Sequence, residues 1–181
     1  MDDHALARAL VARDGQAFGL LVERETRYVF RICYRVLGQV DEAEDATQET
    51  FLLAYRALGT FRGGSPRGWL ARIAAREAYR RADARRRGRK LTAPLSDVVV
   101  ATTPDASDPV GDVLAAEQRL ALRQGVSALP EPYREVVSLR FFGELSIADI
   151  CAATGRPEGT VKSQLYRGLD RLRRQYGEGT R

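Results

Sequence analysis

The chain has 181 residues, 44% hydrophobic and 29% charged, with 29 lysines and arginines against 24 aspartates and glutamates, a formal net charge of +5. That composition suits a chain with a core to bury rather than a disordered one, and no apolar run approaches the roughly 20 residues that a spanning helix needs. One histidine (His4) and two cysteines (Cys33, Cys151) cannot fill a four-ligand Cys/His zinc site, and the acidic start MDDHALARAL lacks the basic stretch and apolar core of a secretory signal, so a cytoplasmic address is expected.

A short helix is predicted over residues 3–12. The next begins near Asp14, a good N-cap, and carries Phe18, Leu21, Val22, Val29, Ile32, Cys33 and Val36 at three- and four-residue steps until Gly38 stops it. Asp41 is expected to cap a third helix, with Glu44 three residues on and Ala43, Ala46, Thr50, Leu53, Ala54 and Ala57 as the buried stripe. After the loop FRGGS, Ser65 and Pro66 restart a helix as N-cap and first-turn proline, with Trp69, Leu70, Ile73, Ala74, Ala78 and Ala82 inward. Residues 91–112 hold three prolines and no helical period, and read as a flexible linker between two domains, 1–90 and 113–181.

Beyond the linker, helices are expected from about Asp112 to Ala128 and over 131–142. Ser146 with Asp149 starts a short helix to Thr154; Gly155-Arg156-Pro157 turns the chain; a last helix from Glu158 buries Val161, Leu165, Leu169 and Leu172. Short helix, tight turn and longer helix make the pattern of a helix-turn-helix, whose second helix enters the major groove. The expected fold is all-α, in two small helical domains.

Charge is distributed unevenly. Residues 61–90 carry 11 basic and 2 acidic side chains, residues 91–118 no basic and 5 acidic ones, and residues 119–181 carry 11 and 7. Two basic blocks separated by an acidic one point to a polyanion, most simply nucleic acid, held at two places. In the first block Arg72, Arg76 and Arg80 recur every four residues and form a stripe, a guanidinium row suited to phosphate. In the acidic helix, Glu42, Asp45, Glu49 and Leu52 share one face, and Glu44, Gln48 and Phe51 line the next.

The segments DEAEDATQETFLLAYRAL (41–58), PRGWLARIAAREAYRRADARRR (66–87) and LPEPYREVVSLRFFGELSIADICAATGRPEGTVKSQLYRGLDRLRRQ (129–175) together resemble the extracytoplasmic-function sigma factors of bacterial RNA polymerase. The resemblance implies a non-enzymatic initiation factor whose first domain docks on core RNA polymerase through Glu42, Glu44, Asp45, Gln48, Glu49 and Leu52. It implies that Phe61, Arg62, Gly63, Gly64 and Ser65, with Arg72, Arg76 and Arg80, hold the −10 element of promoter DNA. It assigns the −35 element to Glu158, Thr160, Lys162, Ser163, Gln164 and Arg167, and suggests an anti-sigma factor as a further partner. No metal or cofactor is implied, nor membrane insertion.

The chain departs from the family pattern where Asn and, four residues later, Asp usually follow the WLxRIA motif: it has Arg76 and Arg80. Where Arg is usual on the last helix it has Gln164. The residues alone leave alternatives open. Gly63-Gly64 is also an ordinary turn, Phe61 can pack on Trp69, and both cysteines read as buried free thiols. A stand-alone helix-turn-helix regulator would explain residues 129–175 but would leave the acidic helix and the basic helix without a joint purpose.

Overall fold

A computed structural model describes residues 2–91 and 109–177. Among them every regular element is helical, and no helix is long and apolar enough to cross a membrane. The proposed linker lies mostly outside the described residues, but its ends are helical: α4 runs on to Leu91, and the helix after it starts at Pro109 rather than near Asp112.

Local signals set most boundaries. In α1 (Asp3–Val11) the Asp2 carboxylate accepts from the Ala5 N–H at 2.6 Å. In α2 (Gly15–Leu37) Asp14 accepts from the Gln16 N–H at 2.9 Å, and Gly38 ends the helix in the left-handed region at φ 77°. A Cβ at Gly38 would also collide with the Arg123 guanidinium, whose Nε donates to the Arg35 carbonyl at 3.0 Å.

The third start differs from expectation. α3 (Val40–Ala57) begins one residue before Asp41, with Gln39 as N-cap and no side-chain cap. The Arg85 guanidinium reaches the corner from α4, bonding Glu42 at 2.8 Å and the Gln39 side-chain oxygen at 3.3 Å. Asp41 and Glu42 therefore lie in the first turn, where the helix dipole favours carboxylates.

A 3-10 turn (Leu58–Thr60) leads through the glycine loop to α4 (Pro66–Leu91). The Ser65 hydroxyl accepts from the Gly68 N–H at 3.1 Å, as an N-cap should. One side of α4 packs on α2 and α3 through Leu70, Ala74 and Ala78. A second buried row, Ala71, Ala75 and Tyr79, explains why α4 also meets α6 and α7. Small residues every four positions let the backbones approach closely.

The second half comprises α5 (Pro109–Ala128), α6 (Tyr133–Phe141), α7 (Ile147–Thr154) and α8 (Glu158–Gly177). Ser146 and Asp149 form the expected capping box, and Gly155 closes α7 at φ 71°. Val161 and Leu172 are buried, with Leu165 and Leu169 packed against the same core. Gly168 lets α8 press on α6: a Cβ there would lie 2.7 Å from the Val137 Cγ2.

The two halves pack together. The Tyr28 hydroxyl donates to the Gly143 carbonyl at 2.6 Å, and the Tyr79 and Ser138 hydroxyls bond at 2.8 Å, both out of solvent. Burial pushes the Tyr28 hydroxyl pKa up to about 12. Arg35 adds bonds to the Phe142 carbonyl at 2.8 Å and to Glu144 at 2.6 Å.

Candidate polymerase and nucleic-acid interfaces

The arginine stripe of α4 is bound to carboxylates of the chain itself. Arg72 Nε donates to Glu135 Oε1 of α6 at 2.9 Å, while its Nη1 donates to the Ala153 carbonyl of α7 at 3.0 Å. Arg76 reaches the same Oε1 at 3.1 Å, and Arg156 takes Oε2 at 2.6 Å. Burial of Glu135 opposes its ionisation, but these guanidinium bonds outweigh it and hold the carboxyl below its ordinary range. Arg80 is bonded within α4 instead. It makes two bonds of 2.7 Å to Glu77, which also takes Arg81 Nε at 2.7 Å. Glu77 is buried, and here too the arginines overcome the burial and depress the carboxyl.

The loop before α4 presents its glycine backbone and the exposed Arg62. Phe61 is buried and tilts on Trp69 with ring centroids 5.2 Å apart, which is the packing alternative. Arg62 donates to the Gly59 carbonyl at 3.0 Å, and Ser65 is occupied in capping α4. Gly63 and Gly64 have φ of 95° and 86°, a region other residues enter only under strain. They face a shallow cleft of about 330 Å³ whose other wall is His4, Arg8 and Val11 of α1.

The acidic helix divides between an inner and an outer side. Glu42 is paired with Arg85 at 2.8 Å, and Asp45 lies 3.7 Å from Arg81, so both lean toward α4. Glu49 is half-buried. Glu44, Gln48 and Leu52 are exposed, and Tyr55, one turn further and 61% exposed, continues the same strip. Tyr55 stands edge-on to Phe18 at 5.2 Å, which fixes the ring while leaving it in solvent.

On α8 the predicted group is more open. Glu158 and Lys162 pair with each other at 2.6 Å, both largely exposed. The Ser163 hydroxyl donates to the Thr160 carbonyl at 3.0 Å. Thr160 is half-buried; Ser163 and Arg167 are exposed, Arg167 lining a cleft with Tyr133, Asp170, Arg171, Arg174 and Gln175. Gln164 is half-buried, and its side-chain oxygen accepts from Arg156 at 3.4 Å.

Four residues of these surfaces escape a reading of the sequence alone: Glu77, Glu135, Arg156 and Tyr55. Glu77 had a signal, a lone acid three and four residues ahead of two arginines. Glu135 and Arg156 had none, because their partners are distant in the chain. Both cysteines are free; Cys33 is buried, with its thiol pKa pushed up to about 11 by burial, and Cys151 is half-buried. Among the described residues no three His, Cys, Asp or Glu side chains gather as metal ligands would.

Comparison with known proteins agrees with this layout. The family model for Sigma-70 region 2 matches residues 21–89, which take in most of α2 and then α3 and α4. That for Sigma-70, region 4, matches residues 119–172. The chain is 33% identical over 170 residues to the ECF RNA polymerase sigma factor SigW of Bacillus subtilis, covering 90% of each chain. It is 34% identical over 180 residues to the RNA polymerase sigma-H factor of Pseudomonas aeruginosa, covering 94% of this chain and 91% of that one. Its fold is similar to that of the sigma factor RpoE solved in complex with the anti-sigma factor NepR from Bartonella quintana, with a TM-score of 0.56 at 21% identity over 87% of this chain and 94% of that one. A stand-alone helix-turn-helix regulator would account for the region 4 match only. With both regions matched in order, the chain belongs to the extracytoplasmic-function sigma factors of RNA polymerase.

Proposed function

We propose that this sigma factor docks on core polymerase through the outer strip of α3, holds the −10 element with the glycine loop and α4, and reads the −35 element with α8. Residues 1–90 and 113–181 are the two working domains, with 91–112 connecting them. The docking strip is Glu44, Gln48, Leu52 and Tyr55, with Asp45 and Glu49 at its edge and Glu42 turned to structural use. The observation that carries the reading is the exposure of two unlike surfaces on separate helices, an acid-and-apolar strip on α3 and a polar and basic one on α8. The first suits a basic protein partner with an apolar centre; the second suits a DNA groove.

Both partners, polymerase and promoter, make the cytoplasm the site of action. The protein does no chemistry of its own in this reading, since the polymerase supplies it. An anti-sigma partner is supported by the similar fold that was captured with one.

Run-off transcription with core polymerase over a randomised promoter library tests the function directly. Leu52→Lys should weaken core binding at unchanged helicity, because it puts a charge at the apolar centre of the strip. Glu42→Gln, which loses only the internal bond to Arg85, should leave core affinity as it is. Equal core affinity for Leu52→Lys and the parent chain would remove α3 as the docking face.

A further inference from the structure

The residues assigned to the −35 element stop at Arg167, yet the basic character of α8 does not. Arg171 and Arg174 follow at steps of four and three, and all three arginines are exposed. With Asp170 and Gln175 they line a cleft of about 380 Å³, bounded on the α6 side by Tyr133. The Arg171 guanidinium lies over the Tyr133 ring, 5.1 Å from its centroid. A guanidinium stacked on a ring keeps the N–H groups at its edge for an anion. Asp170, half-buried, pairs with Arg174 at 2.8 Å. Three arginines against that one carboxylate leave two positive charges uncompensated in the cleft. The helix dipole favours a cation in the last turn, which accounts for Arg174 but not for Arg167 or Arg171.

A recognition helix meets base edges with its N-terminal residues. Ser163 and Arg174 are 11 positions apart, so Arg174 lies about 16 Å further along the axis. The major groove is about 12 Å wide and about 8.5 Å deep, so a side chain that far along has left the bases and come level with the sugar-phosphate backbone. We propose that Arg171 and Arg174 hold phosphates of the duplex flanking the −35 element, with the Tyr133 ring positioning Arg171, so that the chain grips DNA beyond the bases α8 reads. The inference rests on the reading of α8 as the −35 helix and deepens it. Phosphate contacts carry no base preference, so this pair sets affinity and register rather than sequence. Each phosphate neutralised also releases counterions, which gives the pair a signature that salt reads.

Two fluorescein-labelled duplexes test this with the full chain. Both carry the −35 sequence recovered from the promoter library; one ends at the element, and the other is extended on each side by about ten base pairs, one helical turn, of randomised sequence. Each is titrated at several salt concentrations. On the long duplex, Arg171→Ala with Arg174→Ala should reduce the salt slope by about two, so that between about 50 and 200 mM salt the parent loses roughly twelvefold more affinity than the variant. On the short duplex, which lacks the flanking phosphates, parent and variant should bind alike. That duplex controls for folding, since a misfolded variant would lose binding to both. Arg171→Lys with Arg174→Lys keeps the charge and should keep the parent's slope.

An unchanged slope on the long duplex overturns the proposal and leaves the cleft to an acidic protein surface. An equal loss on both duplexes overturns it too, because the two arginines then act inside the element or on the fold. A lysine pair that behaves like the alanine pair does the same, since charge would not be what is held. Failure of the underlying reading looks different: the parent would bind the −35 duplex no better than a scrambled one of equal length, and the inference would fall with it.

Discussion

Arg72 and Arg76 of α4 end on one buried carboxylate of the opposite half, whereas Lys162 and Ser163 of α8 bond to Glu158 and Thr160 of their own helix and Arg167 is exposed. The two basic surfaces thus carry the same kinds of donor in opposite conditions. On α4 each guanidinium must exchange one anion for another. On α8 the competitor for Lys162 is Glu158, four residues away, in a pair that water and salt screen. The comparison teaches that a basic stripe in a sequence specifies an affinity for anions but not which anion holds it.

The largest effect should come from breaking the closed surface within α4 itself. Glu77 is buried and takes two bonds from Arg80 and one from Arg81. Glu77→Gln would turn an amide NH₂ toward guanidinium donors, leaving one polar group badly paired at a cost of about 1–3 kcal/mol. For a chain of this size the melting temperature should fall by about 2–4 °C per kcal/mol. The pH dependence has a definite sign. Glu77 and Glu135 are both held below the ordinary carboxyl range, so the unfolded chain binds protons more readily than the folded one. Their contribution is complete above the unfolded value, near pH 4.3, and is lost as pH falls through the depressed folded values. Thermal melts from neutral to acid pH should show the parent losing stability more steeply than Glu77→Gln; parallel curves would show that Glu77 is not held ionised by its arginines.

The features that a reading of the sequence could reach are those written in a few adjacent residues. Asp14 before α2, Gly38 after it, and the Ser146–Asp149 box with Gly155 act on backbone groups within one turn, so chemistry at short range decides them. Asp41 shows where such reasoning stops. It is a good capping residue at the right place, yet Arg85, 44 positions on, binds Gln39 and Glu42 and moves the helix start. The acidic helix shows the same limit in another form. Spacing put Glu42, Asp45 and Glu49 on one face, but which way that face turns depends on Arg81 and Arg85, and the outward strip passes through Glu44 and Tyr55 instead. For the interface of the two halves there was no local signal at all. Tyr28, Tyr79 and Glu135 meet partners 59 to 115 residues away.

The open surface should respond to changes in what it reads rather than in how it folds. Gln164 is half-buried on α8 with its side-chain oxygen 3.4 Å from Arg156, and its amide NH₂ is a donor that a base edge can accept from. Gln164→Arg should change the preferred base at one −35 position by roughly 1–3 kcal/mol, the size of a bidentate contact. It should also push Arg156 away, since two guanidinium groups would then share that corner. Binding of the full chain to single-substitution −35 duplexes measures it. A uniform change across all duplexes would assign position 164 to the backbone, and base reading would pass to Thr160, Ser163 or Arg167.

The smallest effect belongs to the exposed pair, and it sharpens the contrast between the two surfaces because its sign depends on which partner is removed. Lys162 is a point charge at the start of α8, and Glu158 beside it holds the ammonium in its charged form. If Lys162 lies on a phosphate, Lys162→Ala releases about one counterion fewer on binding and reduces the salt slope by about one. Over a fourfold range of salt that is a difference of about 3.5-fold in how far affinity falls, the same for every −35 duplex. Glu158→Gln removes the competing anion and should strengthen binding slightly at low salt, with the gain vanishing as salt screens the pair. On α4 the corresponding change, Glu135→Gln, removes a carboxylate that salt reaches poorly, so its gain should persist at high salt. Titrating both variants with DNA at several salt concentrations therefore sets the two surfaces side by side. If the two gains fade together, Glu135 is screened like any exposed acid, and the closed surface is no more closed than the open one.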